Sequence, residues 1–273
     1  MRAAAVRTPA SRTRRARLDL RLVEQGLAET RAQAQALIMA GRVRVDGAPG
    51  TKPGAAVAAG ARVELMAGPS HVGRGAVKLE GALEAFGVDP AGRVAVDVGA
   101  STGGFTQTLL AHGVLRVYAV DVGRGQLHER LRHDPRVLAR EKVNARSLSS
   151  RDVPEPCELA VMDVSFISLL KILPALRGVL ARGADVLALV KPQFEVGRGQ
   201  EGRGGIVSDP ALQLAALSRV ACGAAELGYA VLEACASPIT GARGNREFFL
   251  HMRLDGAQQR QDVDALLRRA VAQ

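Results

Sequence analysis

The stretch 94–110, VAVDVGASTGGFTQTLL, decides the fold. Its opening residues are apolar except for Asp97, the pattern of a strand covered on both faces. A glycine-rich turn follows, then the start of a helix. Gly99, Gly103 and Gly104 let the backbone pass close to a ligand where side chains would clash. The order is G-A-S-T-G-G rather than G-x-G-x-x-G, so the dinucleotide fingerprint is not met. Asp97 stands near the strand's end, where it can face a cationic group. Asp121 closes the next apolar run, where a carboxylate can accept both hydroxyls of a ribose. A glycine turn after one strand and an acid ending the next form the usual nucleoside-binding arrangement of doubly wound folds. Glycine turns after a first strand are common in α/β proteins, so this one points to a nucleotide-like ligand without saying which.

Outward from this turn, apolar runs alternate with helical patterns. Strands are expected at 94–100, 114–122, 157–165 and 184–192, and helices at 76–87, 103–112, 168–181 and 210–227. YAVLEACAS (229–237) and REFFLHMRL (246–254) read as closing strands, possible partners in a hairpin. The alternation predicts an α/β fold, a Rossmann-like, mostly parallel doubly wound sheet with helices on both faces.

Upstream, 67–75 (AGPSHVGRG) has a linker's composition, so the large domain is expected over 76–273. Residues 17–66 pattern as two short helices, the second capped by Thr30 and ending at Gly41. A small sheet follows, formed by VRVDGAPG (43–50), with its Asp-Gly turn, and ARVEL (61–65). Residues 1–16 contain no acid and no apolar core region, which excludes a secretory signal and reads as a disordered basic arm. The net charge of +10 is concentrated here: residues 1–66 hold 12 Lys/Arg against 5 Asp/Glu, the remainder 25 against 22. A basic front end continuing into patterned sequence predicts a polyanion-binding module, with Arg21, Arg31, Arg42 and Arg44 as its candidate contacts. The alternative is a basic tail that only aids solubility.

At 273 residues, 47% apolar, the chain suits two domains with a sizeable core. No apolar run reaches the length of a membrane span. Cys157, Cys222 and Cys235 are odd in number and lack metal-ligand spacing, so a reduced, cytoplasmic protein without a metal site is expected.

Two further strand ends carry ionisable groups, Asp163 in MDVSFIS and Lys191 in VKPQFE. Ligands of an open α/β sheet collect beyond those carboxyl ends. There are 32 arginines and only 5 lysines, which draws attention to each lysine, because arginine does not lose its proton under ordinary conditions. A lone lysine closing a strand is ordinarily a snorkelling surface group. Lys78 in RGAVKLEGAL and Glu247 in GNREFF lie in neighbouring patterned segments.

These four residues carry a close resemblance. Lys78, Asp163, Lys191 and Glu247 match the K-D-K-E tetrad of FtsJ-like ribose 2′-O-methyltransferases. The words RGAVKL, DVSFIS, KPQFE and GNREFF resemble the TlyA branch, in order, over most of 17–254. D-V-G-x-x-x-G-G-F resembles the methyltransferase glycine turn. RLDLRLVEQGLAETRAQAQALIMAGRVRVDG resembles the RNA-binding domain first described in small-subunit ribosomal protein S4.

The resemblance implies a class I methyltransferase fold and S-adenosylmethionine as cofactor, bound by Asp97, Gly99, Ser101, Thr102, Gly103, Gly104, Phe105, Asp121, Val122, Asn144 and Asp163. VNAR (143–146) has Val143 where the family has Thr. It further implies cytidine 2′-O-methylation of 16S or 23S ribosomal RNA, within ribosomal subunits, with no membrane and no metal. Lys191 then has two readings, a general base with a lowered pKa or a cation that stabilises the developing alkoxide. Aromatic residues are only 3%, but five of six phenylalanines (105, 166, 194, 248, 249) fall in or beside the motifs. Each is either core or a surface for the cofactor adenine or a flipped base. The glycine-rich stretch 195–208 is either a loop that orders over RNA or plain surface. The rival classes are a non-catalytic RNA-binding or ribosome-assembly factor, a membrane-active hemolysin (a label sometimes attached to this family) and an NAD-linked oxidoreductase.

Overall fold

The computed structural model describes residues 15–39, 41–50, 52–66, 72–197, 199, 202, 204–241, 243–255 and 262–273. Most of the expected basic arm (1–14), the linker positions 67–71, and 198, 200, 201 and 203 of the glycine-rich stretch lie outside the described residues. The chain forms two compact units that divide between residues 70 and 71.

In the first unit, β1 (Arg15–Arg17) leads into α1 (Leu18–Glu24) and α2 (Arg31–Met39). Four short strands follow, β2 (Val43–Val45), β3 (Ala48–Pro49), β4 (Ala56–Ala58) and β5 (Val63–Leu65). β2 pairs with β3 and β5, and β1 pairs with β4, all antiparallel. Asp46 and Gly47 both take positive φ (51° and 81°), the conformation a two-residue hairpin turn demands. Leu18, Leu22, Ala34, Ile38 and Val43 form the core. Asp19 is also buried, and Arg17, Arg31 and Gln35 all donate to its carboxylate. These bonds, chiefly that from Arg17, hold its pKa well below the usual carboxylate range.

The second unit alternates helices and strands. Its first half is α3 (Gly75–Phe86), β6 (Val94–Val98), α4 (Gly104–Ala111), β7 (Arg116–Asp121), α5 (Glu129–Arg132), β8 (Val137–Glu141) and β9 (Cys157–Met162). Its second half is α6 (Leu173–Arg177), β10 (Leu180–Val190), α7 (Pro192–Glu195), α8 (Pro210–Glu226), β11 (Tyr229–Ala236), β12 (Phe248–Leu254) and α9 (Val263–Ala272).

The seven strands run in the order β11-β12-β10-β9-β6-β7-β8, with β12 antiparallel to both its neighbours and the rest parallel. Alternate residues of the central strands face opposite layers. Val96, Met162 and Val186 pack with Leu173, Leu217 and Leu267 on one side; Ala95, Val161 and Leu187 pack with Leu79, Leu83 and Leu109 on the other. The chain order reverses between β6 and β9, the switch point where doubly wound sheets open a crevice.

Several elements differ from the sequence reading. β1, β4, α5, α7, β8 and α9 were not expected, and β1, paired with β4, takes residues 15 and 16 out of the expected disordered arm. The helix expected over 168–181 is instead a 3-10 turn (Leu169–Lys171), the short α6 with a proline in its first turn, and the start of β10.

Candidate active site

β6, β7, β9 and β10 all end at the same edge of the sheet, and β12, running the other way, begins there. That single fact of topology gathers Gly99, Asp121, Asp163, Lys191 and Glu247. Packing of α3 beside α4 adds Lys78. Gly99 has φ +86°, and a Cβ on it would stand 2.5 Å from the Asp163 carbonyl oxygen, so only glycine fits between the ends of β6 and β9.

The four tetrad positions form two lysine–carboxylate pairs. Lys78 Nζ donates to Glu247 Oε2 at 2.6 Å, both residues buried. Lys191 Nζ lies 2.6 Å from Asp163 Oδ1 and donates to Ser165 Oγ at 2.9 Å. Asp163 Oδ1 has no aligned hydrogen bond among the described residues, so its contact with Lys191 is one of charge on charge.

Three cavities meet at these pairs. The first, of about 630 Å³, is walled by Gly99, Asp121, Val122, Asn144, Asp163 and Phe166, among others. The second, about 250 Å³, is lined by Arg74, Lys78, Ser101, Thr102, Gly104, Phe105 and others of the glycine turn. The third, about 620 Å³, includes Lys78, Lys191, Gln193, Phe194, Asn245 and Glu247. Ser165 lines all three.

The first two cavities fit a nucleoside carrying a short polar tail. Asp121 is fixed at the wall of the larger one: its Oδ2 accepts from Ser101 N (2.8 Å) and its Oδ1 from Gly123 N (2.7 Å), and each oxygen keeps a free lone pair. Val122, 73% exposed, offers an apolar surface for a ring. Asn144 Oδ1 accepts from Arg146 N (3.1 Å), capping the turn that closes the same wall.

Two expected contacts are placed elsewhere. Asp97 is wholly buried and lines none of these cavities. Its Oδ2 accepts from Thr106 Oγ1 at 2.6 Å, and its Oδ1 has no partner among the described residues. Burial pushes its pKa up to about 7 against the opposing Thr106 hydrogen bond, and the nearby Asp163 and Asp121 carboxylates add to the rise. Gly103 (φ +97°) starts α4 beneath Leu127 and Leu131 and is also absent from the cavity walls. Phe105 lines the second cavity but is 3% exposed and packs on Phe249, so it is largely core.

Sequence reasoning missed Ser165, Gln193 and Glu195, which carry no periodic or charge-run signal. Glu195 is buried, which raises its pKa, and it accepts from Ser168 Oγ (2.7 Å) and Leu169 N (2.8 Å). It thereby ties the segment carrying Asp163, Ser165 and Phe166 to the segment carrying Lys191 and Phe194. Phe166 is 86% exposed, has φ +64° and packs against Phe194, with ring centroids 5.0 Å apart.

In the first unit the four candidate arginines divide. Arg21 and Arg42 are half-buried and donate to carbonyls of Ala59 and Met66. Arg31 and Arg44 are exposed, though Arg31 also pairs with Asp19 at 3.0 Å.

Known proteins share both the motifs and the fold. Residues 71–254 match the FtsJ-like methyltransferase family and residues 16–63 the S4 domain. A relative from Mycobacterium tuberculosis, the 16S/23S rRNA (cytidine-2′-O)-methyltransferase TlyA, is 48% identical over 95% of this chain and 98% of its own length. A Brachyspira hyodysenteriae relative named Hemolysin A is 37% identical over 86% and 98%. A solved structure from Streptococcus thermophilus, described as a candidate hemolysin, superposes with a TM-score of 0.73 at 41% identity, covering 95% of both chains. Among the described residues no helix is long and apolar enough to cross a membrane, and no group of side chains has the makings of a metal site.

Proposed function

The chain belongs to the FtsJ-like methyltransferase family, and on that premise we propose that it transfers a methyl group from S-adenosylmethionine to the 2′-hydroxyl of a cytidine in ribosomal RNA. The observation that carries this reading is the pair of lysine–carboxylate contacts standing where the three cavities meet. The first two cavities suit the adenosine and amino-acid parts of the cofactor, and the third suits a nucleotide of the RNA. S-adenosylmethionine, when bound, supplies a methyl group already activated on a sulfonium, so the chain needs only to present the hydroxyl and manage its proton.

The residues fit that task. Ser165 accepts from the Lys191 ammonium, and Asp163 attracts it without an aligned hydrogen bond. Among the described residues this leaves the ammonium able to donate to a ribose oxygen and to stabilise negative charge as the O–H bond breaks. This geometry favours the electrostatic role over general-base catalysis, with the proton passing to solvent. The Lys78–Glu247 pair forms the opposite wall, where the carboxylate can accept from the incoming hydroxyl. Phe166, exposed at the rim, presents a ring on which the flipped base can stack. Arg31 and Arg44 of the S4 domain contact phosphates, which makes binding salt-dependent.

The test is a set of single replacements. Lys78→Ala and Lys191→Ala are expected to lower turnover at saturating cofactor by roughly 100-fold or more. Lys191→Arg, which keeps the charge but cannot act as a base, is expected to retain measurable turnover. Full activity in Lys191→Ala would remove the proposed role.

A further inference from the structure

Among the described residues, one buried polar atom of the third cavity's lining has no visible task. Gln193 lines that cavity, and its side-chain oxygen Oε1 is buried with no hydrogen-bond partner among the described residues. A buried acceptor left unpaired is costly, and in a ligand-facing wall it marks the place where a donor arrives. The neighbouring residues say what kind of donor. Gln193 lies on α7, two residues after Lys191, and Phe194 on the same turn packs against the exposed ring of Phe166. Two residues of chain span at most about 7 Å, the scale of one nucleoside. A ribose held at Lys191, with its base against the aromatic pair, therefore brings the edge of that base to the Gln193 amide.

We infer that Gln193 reads the identity of the target base, its Oε1 accepting from the exocyclic amino group of cytosine. The assignment rests on the methyltransferase reading above. With Oε1 turned to the base, it meets the cytosine amino group and Nε2 can donate to the adjacent ring nitrogen, N3. Uracil in the same pose sets its own carbonyl against Oε1 and its N3–H against Nε2, two repulsive contacts in place of two hydrogen bonds. The amide is also held on a rigid support. Glu195, two residues on, is locked by Ser168 and Leu169, and Arg219 Nη1 donates to the Glu195 carbonyl at 2.9 Å. A site built to satisfy a polar group on its substrate rejects the analogue that lacks it, because its own buried atom is then left unpaired.

The experiment uses ribosomal subunits carrying either cytidine or uridine at the methylated position, with the full-length protein and Gln193→Ala. The parent is expected to prefer cytidine by about 10- to 100-fold in kcat/KM. Gln193→Ala should lose about that factor on cytidine and stay within about threefold on uridine, so that the preference collapses. The melting temperature of Gln193→Ala without RNA should match or exceed that of the parent, since the oxygen removed makes no bond in the free protein; a marked fall would assign the side chain a structural role instead. Equal losses on both substrates, or a parent indifferent to the base, would overturn the inference alone. A parent that places no methyl on ribose would overturn the functional reading and this inference with it.

Discussion

Asp97 predicts a pH dependence that can be worked out from its surroundings. Its carboxyl is wholly buried, with one oxygen bonded to Thr106 and the other unpartnered. Burial, with the opposing Thr106 bond and the added field of Asp163 and Asp121, raises its pKa from 3.8 to about 7. Between those values the folded protein holds a proton that the unfolded chain has released. Stability is therefore fully present below about pH 4 and falls as pH rises through 7. A shift of about three units, at about 1.4 kcal/mol each, amounts to roughly 4 kcal/mol as an upper figure. Asp97→Asn keeps an acceptor for Thr106 and has no charge to lose. Its amide nitrogen, placed where Oδ1 has no partner, adds an offset of about 1–3 kcal/mol that does not vary with pH. Urea unfolding of both proteins without cofactor, from pH 4.5 to 8, separates the two effects. The stability of Asp97→Asn relative to the parent should rise by several kcal/mol across that range, about 2–4 °C of melting temperature for each. Parallel stability curves would refute the reasoning.

The other expectations concern the cofactor and the RNA. Asp121→Ala removes the carboxylate fixed at the wall of the first cavity; titration calorimetry should show cofactor affinity about 10- to 100-fold weaker, with turnover at saturation much less affected. Arg44→Ala removes an exposed cation whose partner among the described residues is a single long bond of 3.4 Å to the Gly47 carbonyl. It should weaken RNA binding and flatten the salt dependence by about one phosphate contact, without changing the melting temperature. Arg31→Ala should weaken RNA binding and flatten the salt dependence likewise, but it should also lower the melting temperature, because Arg31 helps neutralise the buried Asp19.

What could be read from the residues follows from how strongly each environment marks them. β6, β9 and the second half of β10 are largely covered on both faces, so they appear as apolar runs, interrupted by Asp97 in β6 and Glu158 in β9. β8 lies at the sheet's edge, and its Arg140 and Glu141 give it the composition of a loop. The span 168–181 has enough apolar residues for one helix, but Pro174 and Gly178 confine α6 to Leu173–Arg177. At the site, the glycine turn and Asp121 were legible from spacing, whereas the tetrad was legible only through family resemblance. Asp97 shows the limit of pattern: alternation tells which face a side chain takes, not whether a ligand reaches it. Gln193 left no trace at all, since an unpaired oxygen becomes visible only once its neighbours are in place.

The most direct measurement supplies tritiated S-adenosylmethionine and the protein to each ribosomal subunit purified from a strain lacking the modification. The labelled RNA is then digested to nucleosides and separated. The account predicts label in 2′-O-methylcytidine, absent when Lys191→Ala replaces the parent. Label on a base, or none on either subunit, would contradict it.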